Sequence, residues 1–315
     1  MPSREEILAR AKLVVSKYDE WILSQPNVTA VGVGHKIKGH RDTMEPCVKI
    51  FVRKKIPRMP RNAQLPRFID VGGGQRVPTD IVEGGPFFLQ KKSGLESKCG
   101  SDKTPNKQRI RPARPGTSIG DVTVPYGTFG AVVIDDLSGK SLILSNNHVL
   151  YYEFDPDIFQ PGVSDQQDDE DDSDDLVAEL FNHVDPDLGV DAAVACPLRP
   201  EMILNKPLNG VPAPSPSCRA IGLLFGGDES KTTLLNPIDT VLSLLKVHFP
   251  LPDSTATAFV GMRVQKTGRT TQRTEGTVTC IHVSVPLQDV TFREQIATTC
   301  MSLDGDSGSL VVENL

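Results

Sequence analysis

Ser307 stands in Gly305-Asp306-Ser307-Gly308-Ser309, and an apolar stretch, Leu310-Val311-Val312, follows it. A serine hydroxyl is a weak nucleophile near neutral pH. It needs an adjacent base, and the base needs an orienting carboxylate. It also needs N–H donors aimed at the oxyanion that forms on the attacked carbonyl. The glycines around Ser307 permit a tight turn that brings the N–H groups of Gly305 and Ser307 to one point, an oxyanion hole. A base is available at His148, which follows an apolar run in LILSNNHVL, and a carboxylate at Asp191, in GVDAAVA. Together these residues would carry out acyl transfer. His183 and His248 are competing bases but lack the strand-then-turn setting. Singly, the three pieces also fit a plain turn, a structural histidine and a strand boundary. Their joint occurrence, each beside an apolar stretch, argues for an assembled triad.

Those residues must be positioned by the elements around them. Ser3-Arg4-Glu5-Glu6 is a capping box. Ile7, Ala11, Val14, Tyr18 and Ile22 then recur at helical spacing, and Pro26 stops the helix. NVTAVGVGHKI (27–37) and CVKIFVRKKIP (47–57) read as strands, the second half-buried because Val48, Ile50 and Val52 alternate with Lys49, Phe51 and Arg53. Residues 1–90 therefore form a small α+β domain. Its glycines at 32, 34, 39 and 72–74 lack any phosphate-loop context and read as strand or turn glycines. Residues 91–114 are polar, basic and punctuated by Pro and Gly, a linker. Beyond it, 127–135, 141–150, 175–184 and 190–198 read as short strands with no amphipathic helix between them, which argues against a βαβ arrangement. The stretch 165–175, DQQDDEDDSDD, reads as a solvated loop. It lacks the glycine and glutamate spacing of an EF-hand, so no metal is assigned to it, although a calcium site or an exosite for basic partners is the sharper alternative.

The 315-residue chain carries a net charge of −6, with 34 Lys and Arg against 40 Asp and Glu. No basic excess marks a nucleic-acid footprint. No run of about 18 apolar residues suggests a membrane span, and MPSREEILARAK does not resemble a secretory signal. The six cysteines, at 47, 99, 196, 218, 280 and 300, are widely spaced and without CxxC pairs. The expectation is free thiols in a cytoplasmic protein, with Cys280 and Cys300 the one pair worth checking for a bridge. No cofactor is called for.

The order His, Asp, Ser along the chain is that of chymotrypsin. The words LSNNHVL, DAAVA, KTGRTT and GDSGSLVV together resemble the intracellular trypsin-like serine peptidases of bacteria and plants, the narrow-leaf type. NVTAVGVGHKIKG, VKIFVRKK and VPTDIVEGG are similar to that family's leader domain, and RPARPGTSIG to its approach to the first barrel. The resemblance implies a mainly β protein, a chymotrypsin-like double β-barrel preceded by a small α+β domain. It implies a first barrel at 115–198 bearing His148 as base and Asp191 as orienter, and a second at 199–315 bearing Ser307 as nucleophile. The activity implied is a serine endopeptidase acting on protein or peptide substrates. A regulatory partner could engage the N-terminal domain or the acidic loop 165–175. The alternative is a non-catalytic binding or scaffold protein on a protease fold.

The sequence departs from the family pattern in four places. Gln272 stands where glycine often follows GRTT. The acidic loop replaces a shorter glycine-rich stretch. Met301 occupies the place where trypsin-like specificity would want an aspartate. The fourth departure is that only eight residues, 308–315, follow Ser307. The segment expected after it, CRAIGLLFGGDESKTTLLNPIDTVLSLLKV, lies earlier, at 218–247. The second barrel thus resembles a circularly permuted version, with FPLPDSTATAFV (249–260) joining the old ends. An unrelated inserted hairpin in a truncated barrel is the other reading. Permutation demands that Leu310–Val312 pair antiparallel with Ile221–Phe225 and that a helix form near 239–247. It also implies that Phe225, Gly226, Gly227 and Met301 line the substrate cleft and favour an uncharged side chain. Finally, IVEGG (81–85) looks like a processed N-terminus that would pair with Asp306. The preferred reading is a leader strand, with a local partner for Asp306.

Overall fold

The computed structural model describes every residue except 1, 40, 57–64, 90–104, 125, 152, 154, 167–174, 229–230 and 315. In chain order the elements are α1 (Arg4–Leu23), β1 (Val28–Lys38), β2 (Arg41–Val52), β3 (Phe68–Asp70), β4 (Arg76–Glu83) and β5 (Phe88–Leu89). There follow β6 (Ser118–Asp121), β7 (Gly127–Thr128), β8 (Ala131–Asp135), β9 (Ser141–Ser145), α2 (Asn147–Leu150), β10 (Asp157–Phe159), β11 (Leu176–His183) and β12 (Ala193–Pro197). The last third holds β13 (Ala220–Gly227), β14 (Thr232–Pro237), α3 (Ile238–Leu245), β15 (Val247–His248), β16 (Arg263–Gly268), β17 (Gln272–Leu287), β18 (Val290–Thr299) and β19 (Leu310–Glu313). No helix among the described residues is long and apolar enough to cross a membrane.

The fold is mainly β, with two curled sheets, consistent with a chymotrypsin-like double β-barrel. The first sheet runs β15-β8-β9-β12-β11-β10-β6-β7. It closes because β7 and β8 are halves of one strand broken at Phe129-Gly130. Alternate positions fill its interior: Ile119, Phe129, Ile143, Ile158, Val177 and Ala195 are all buried. The second sheet contains a closed antiparallel ring, β16-β19-β13-β14-β18-β17, completed by pairing of β17 with β16. Chain order and ring order differ: β13 and β14 precede the rest, and β19, the final strand, sits between β13 and β16. Val312 pairs with Ala220, and the Leu224 N–H donates to the Ser309 carbonyl at 3.0 Å. The helix expected near 239–247 is α3, whose Ile238, Val241 and Leu245 pack with Leu144, Val194 and Leu223 between the barrels.

The N-terminal strands continue the second sheet. β17 is long enough to serve two neighbours on one edge: residues 272–277 pair with β16, and residues 280–284 with β1. β2 and β4 extend the sheet outward. The close β1–β17 approach explains Gly32 and Gly34, where an added Cβ would lie 2.7 Å from the Cys280 sulfur and 2.8 Å from the Thr279 carbonyl. β2 differs from the expected half-buried pattern, since Cys47 through Val52 are buried on both faces. α1 covers one face and the strands cover the other. Ser3 and Glu6 form the reciprocal cap on α1 at 2.8 and 3.1 Å. The stripe on α1 differs at one position: Tyr18 is exposed and Asp19 is buried, because Arg293 of β18 reaches Asp19 at 2.8 Å and satisfies its charge.

Candidate active site

His148 lies on α2, the single helical turn that follows β9. The strand read over 141–150 ends at Ser145, and Asn146 opens α2 in an extended conformation. Asp191 lies two residues before β12 and is clamped by its backbone. Its carbonyl accepts from Asn146 Nδ2 at 2.7 Å and from Asn236 Nδ2 of β14 at 3.2 Å. One carboxylate oxygen of Asp191 accepts the His148 backbone N–H at 3.0 Å, and the other is hydrogen-bonded to His148 Nδ1. That bond assigns the proton to Nδ1 and leaves Nε2 as the basic nitrogen. Nε2 is buried and has no hydrogen-bond partner among the described residues.

Ser307 occupies a turn stitched internally and docked on the first barrel. Asp306 N–H donates to the Leu303 carbonyl, and Ser309 Oγ to the Asp306 carbonyl at 2.6 Å. Gly305 and Gly308 have φ of 90° and 88°, the left-handed region that a side chain resists. The Thr128 N–H donates to the Ser307 carbonyl at 2.7 Å, and Thr128 Oγ1 to the Gly305 carbonyl at 2.9 Å. A Cβ on Gly308 would lie 2.1 Å from Ser145 Oγ, three residues before His148. The Ser307 turn and the β9–α2 junction are therefore in contact across the barrel seam. Ser307 itself is 1% exposed.

A buried cation holds this turn from behind. Lys266 Nζ is 3.0 Å from Asp306 Oδ2, with both side chains wholly buried. Asp306 also accepts the N–H groups of Thr270 and Thr271 at 2.9 and 3.1 Å and of Leu303 at 3.0 Å. Burial pushes the Lys266 pKa down, and Asp306 opposes that shift. Asp306 thus has a local partner, while Ile81 lies inside β4 opposite Ile50. In the sequence, the one signal for Lys266 is a lysine within the otherwise buried strand of KTGRTT.

The carboxylates at both ends of the acidic stretch are shielded from water, unlike the solvated loop expected. Asp165 pairs with Arg269, whose guanidinium lies 3.7 Å over the Tyr126 ring. Asp175 pairs with Arg109 and Arg111. Residues 167–174, the middle of that stretch, lie outside the described residues, as do residues 91–104 of the expected linker. The described end of the linker is packed in place: Asn106 is fully buried and bonded to the Gly116 and Gly268 carbonyls. Among the described residues no cluster of His, Cys, Asp and Glu could hold a metal. The competing histidines lie elsewhere. His248 pairs with Asp136 beside β8, and His183 stacks on Tyr151. Cys47, Cys196, Cys218, Cys280 and Cys300 are free thiols; Cys99 lies outside the described residues.

Asp304, one turn before Ser307, is a site residue the sequence reading did not single out. Burial raises its pKa, against lowering by the Tyr126 hydroxyl, Arg269, the Gly305 N–H and His148. The expected cleft residues are all buried. The Phe225 ring stacks inward on Phe292 with centroids 5.3 Å apart, so only its backbone faces the seam. Met301 is 3% exposed and packs in the core. Gly226 and Gly227 are paired to β5.

No protein-family model matches the chain, and no curated protein does. Among solved structures, it is similar to a glutamic-acid-specific serine protease described as using a histidine triad in substrate binding. That match has 18% identity and a TM-score of 0.40, over 62% of this chain and 78% of that one. It is also similar to Nocardiopsis protease, at 15% identity and TM-score 0.38, over 64% and 79% of the two chains. Cellulomonas bogoriensis chymotrypsin matches at 17% and 0.36, over 62% and 75%. Likenesses this remote carry no argument about what this chain does.

Proposed function

We propose that this chain is a serine endopeptidase in which Ser307 is the nucleophile, His148 the base and Asp191 its orienter. The observation that carries the reading is the His148–Asp191 pair, set in contact with the Ser307 turn across the seam of two barrels. In the reaction, Ser307 Oγ attacks the peptide carbonyl carbon while its proton passes to His148 Nε2. The oxyanion is stabilised by the N–H groups of Gly305 and Ser307. His148 then protonates the departing amine as the carbon–nitrogen bond breaks, leaving an acyl-serine. Water, deprotonated by His148, releases the acid and restores Ser307. The Lys266–Asp306 pair acts as a positioning device for the turn.

The second barrel is read as circularly permuted relative to the family it resembles, supported by the place of β19 inside the ring and of α3 ahead of β16. A reducing, cytoplasmic setting is supported by the cysteine spacing. Peptide substrates and a possible regulatory partner at the N-terminal strands complete the reading.

A second reading, a binding protein on this fold, is favoured by the low exposure of Ser307. A fluorophosphonate probe separates the two. Labelling of the native chain, lost in Ser307→Ala and strongly slowed in His148→Ala, is expected for the peptidase. An unlabelled but folded native chain would reject it.

A further inference from the structure

We propose that β5 is an internal stand-in for a bound peptide. Phe88–Leu89 holds the stretch of β13 edge beside the Ser307 turn on which an extended peptide with apolar side chains would pair. The inference deepens the peptidase reading and rests on it for the identity of the ligand.

β13 has two edges. One is paired along its length with β14, Gly226 opposite Leu234 and Gly227 opposite Thr233. The other is shared. β19 uses its first part, ending where Leu224 exchanges hydrogen bonds with Ser309 and Gly308 at 3.0 and 2.9 Å. There the chain turns into Gly308 and Ser307, leaving Gly226 and Gly227 free on that side. β5 takes both, Leu89 opposite Gly226 and Phe88 opposite Gly227, antiparallel. As β5 advances from 88 to 89, its partner on β13 falls from 227 to 226, toward Leu224. β5 therefore points its carboxyl end at the Ser307 turn. A peptide presenting a carbonyl to Ser307 with its backbone paired needs this edge in this direction.

The site is shaped for a backbone at close range. A Cβ on Gly226 would lie 2.4 Å from the Phe88 carbonyl oxygen. Leu89 packs on the cluster containing Phe225 and Phe292, whereas Phe88 is 53% exposed. One apolar side chain inward and its neighbour outward is the alternation of a strand-forming ligand. Upstream, the segment is tethered: the Phe87 ring meets Phe51 edge-on at 5.8 Å, and the Gly85 N–H donates to Asp228 Oδ2 at 3.0 Å. Two paired residues make a weak strand, but the tether gives them a high effective concentration. A free peptide therefore binds only in the fraction of molecules whose edge is open, and its apparent Kd rises by that fraction.

The test measures binding without turnover. A fluorescein-labelled peptide, Gly-Gly-Pro-Phe-Phe-Leu, is titrated by anisotropy into full-length Ser307→Ala and into Ser307→Ala carrying Phe88→Pro and Leu89→Pro. The expected result is about tenfold or greater tightening in the β5 variant. If the prolines disturb folding, Phe87→Ala in the same background should shift affinity in the same direction by less. Without any β5 change, saturating peptide should speed hydrogen exchange of the β5 amide that is bonded to β13 and leave Gly226 and Gly227 protected. Equal affinity in folded variants, or unchanged exchange of β5, would overturn the proposal. Because Ser307→Ala does not cut, this outcome is independent of fluorophosphonate labelling. A chain that gains peptide binding but never labels keeps this inference and loses the peptidase.

Discussion

The two barrels contribute to the same seam by different means. The first barrel holds Asp191 with neutral hydrogen bonds from Asn146 and, across the seam, Asn236. The second barrel holds Ser307 with a wholly buried ion pair, Lys266–Asp306. The first is also assembled mainly from contiguous chain, β6 to β12, with only the two-residue β15 added at β8, whereas the second is closed by the final strand fitting between strands that precede it by tens of residues. Neutral clamps lose little when cut because no charge is stranded. A buried ion pair that loses one member strands a charge in low dielectric, so its failure is severe. A ring closed by the last strand has no partial version, since unpaired backbone groups would remain on both neighbours.

The largest expected effect follows from that ring. Deleting residues 310–315 removes Leu310, Val311 and Val312, all buried, and leaves the edges of β13 and β16 open. Burying each such side chain contributes about 2 kcal/mol, so the loss rivals a total stability of about 5–15 kcal/mol. The second barrel should not fold, and circular dichroism with limited proteolysis should find protection confined to the first. A truncated chain with native melting behaviour would make the two barrels equivalent.

Next comes the ion pair. Lys266→Met leaves Asp306 buried without its cation and should cost about 3–5 kcal/mol in denaturant unfolding. Lys266→Met combined with Asp306→Asn should recover much of that stability without restoring fluorophosphonate labelling, since the Thr270 and Thr271 bonds to the turn weaken. The corresponding cut on the other side, Asn146→Ala, should cost only about 1–2 kcal/mol. If the two single substitutions cost the same, the contrast between charged and neutral clamps is wrong.

The smallest effect is a pH dependence at Asp304. Burial raises this carboxyl's pKa above 3.8, so the folded chain holds the proton longer than the unfolded chain does. The stabilisation is fully present below the unfolded pKa and is lost as pH rises through the folded value. Asp304→Asn does not titrate. Its melting temperature relative to the native chain should climb with pH from about 3.8 upward and then level. A difference that stays flat across that range would place Asp304 in water.

Much of this molecule was legible in its residues. The capping box at Ser3 and Glu6, the short strands of the first barrel and the apolar strand after Ser307 are local patterns, and local patterns follow from backbone geometry within a few residues. The expectation that Leu310–Val312 pair with Ile221–Phe225 came from the resemblance to a family in which the matching segments are neighbours, since an apolar strand by itself names no partner. What the sequence alone could not decide is which distant groups meet. Lys266 looks like any strand lysine until the second barrel closes over it beside Asp306. Asp165 and Asp175 look solvated until Arg269, Arg109 and Arg111 reach them. Phe225 looks like a cleft wall until Phe292 draws its ring inward. Phe88 and Leu89 carry no mark of a strand until the edge of β13, left free where the chain turns into Ser307, supplies the partner. Each of these was decided by a tertiary pairing across a long stretch of chain, where burial forces every charge and every backbone group to find a match.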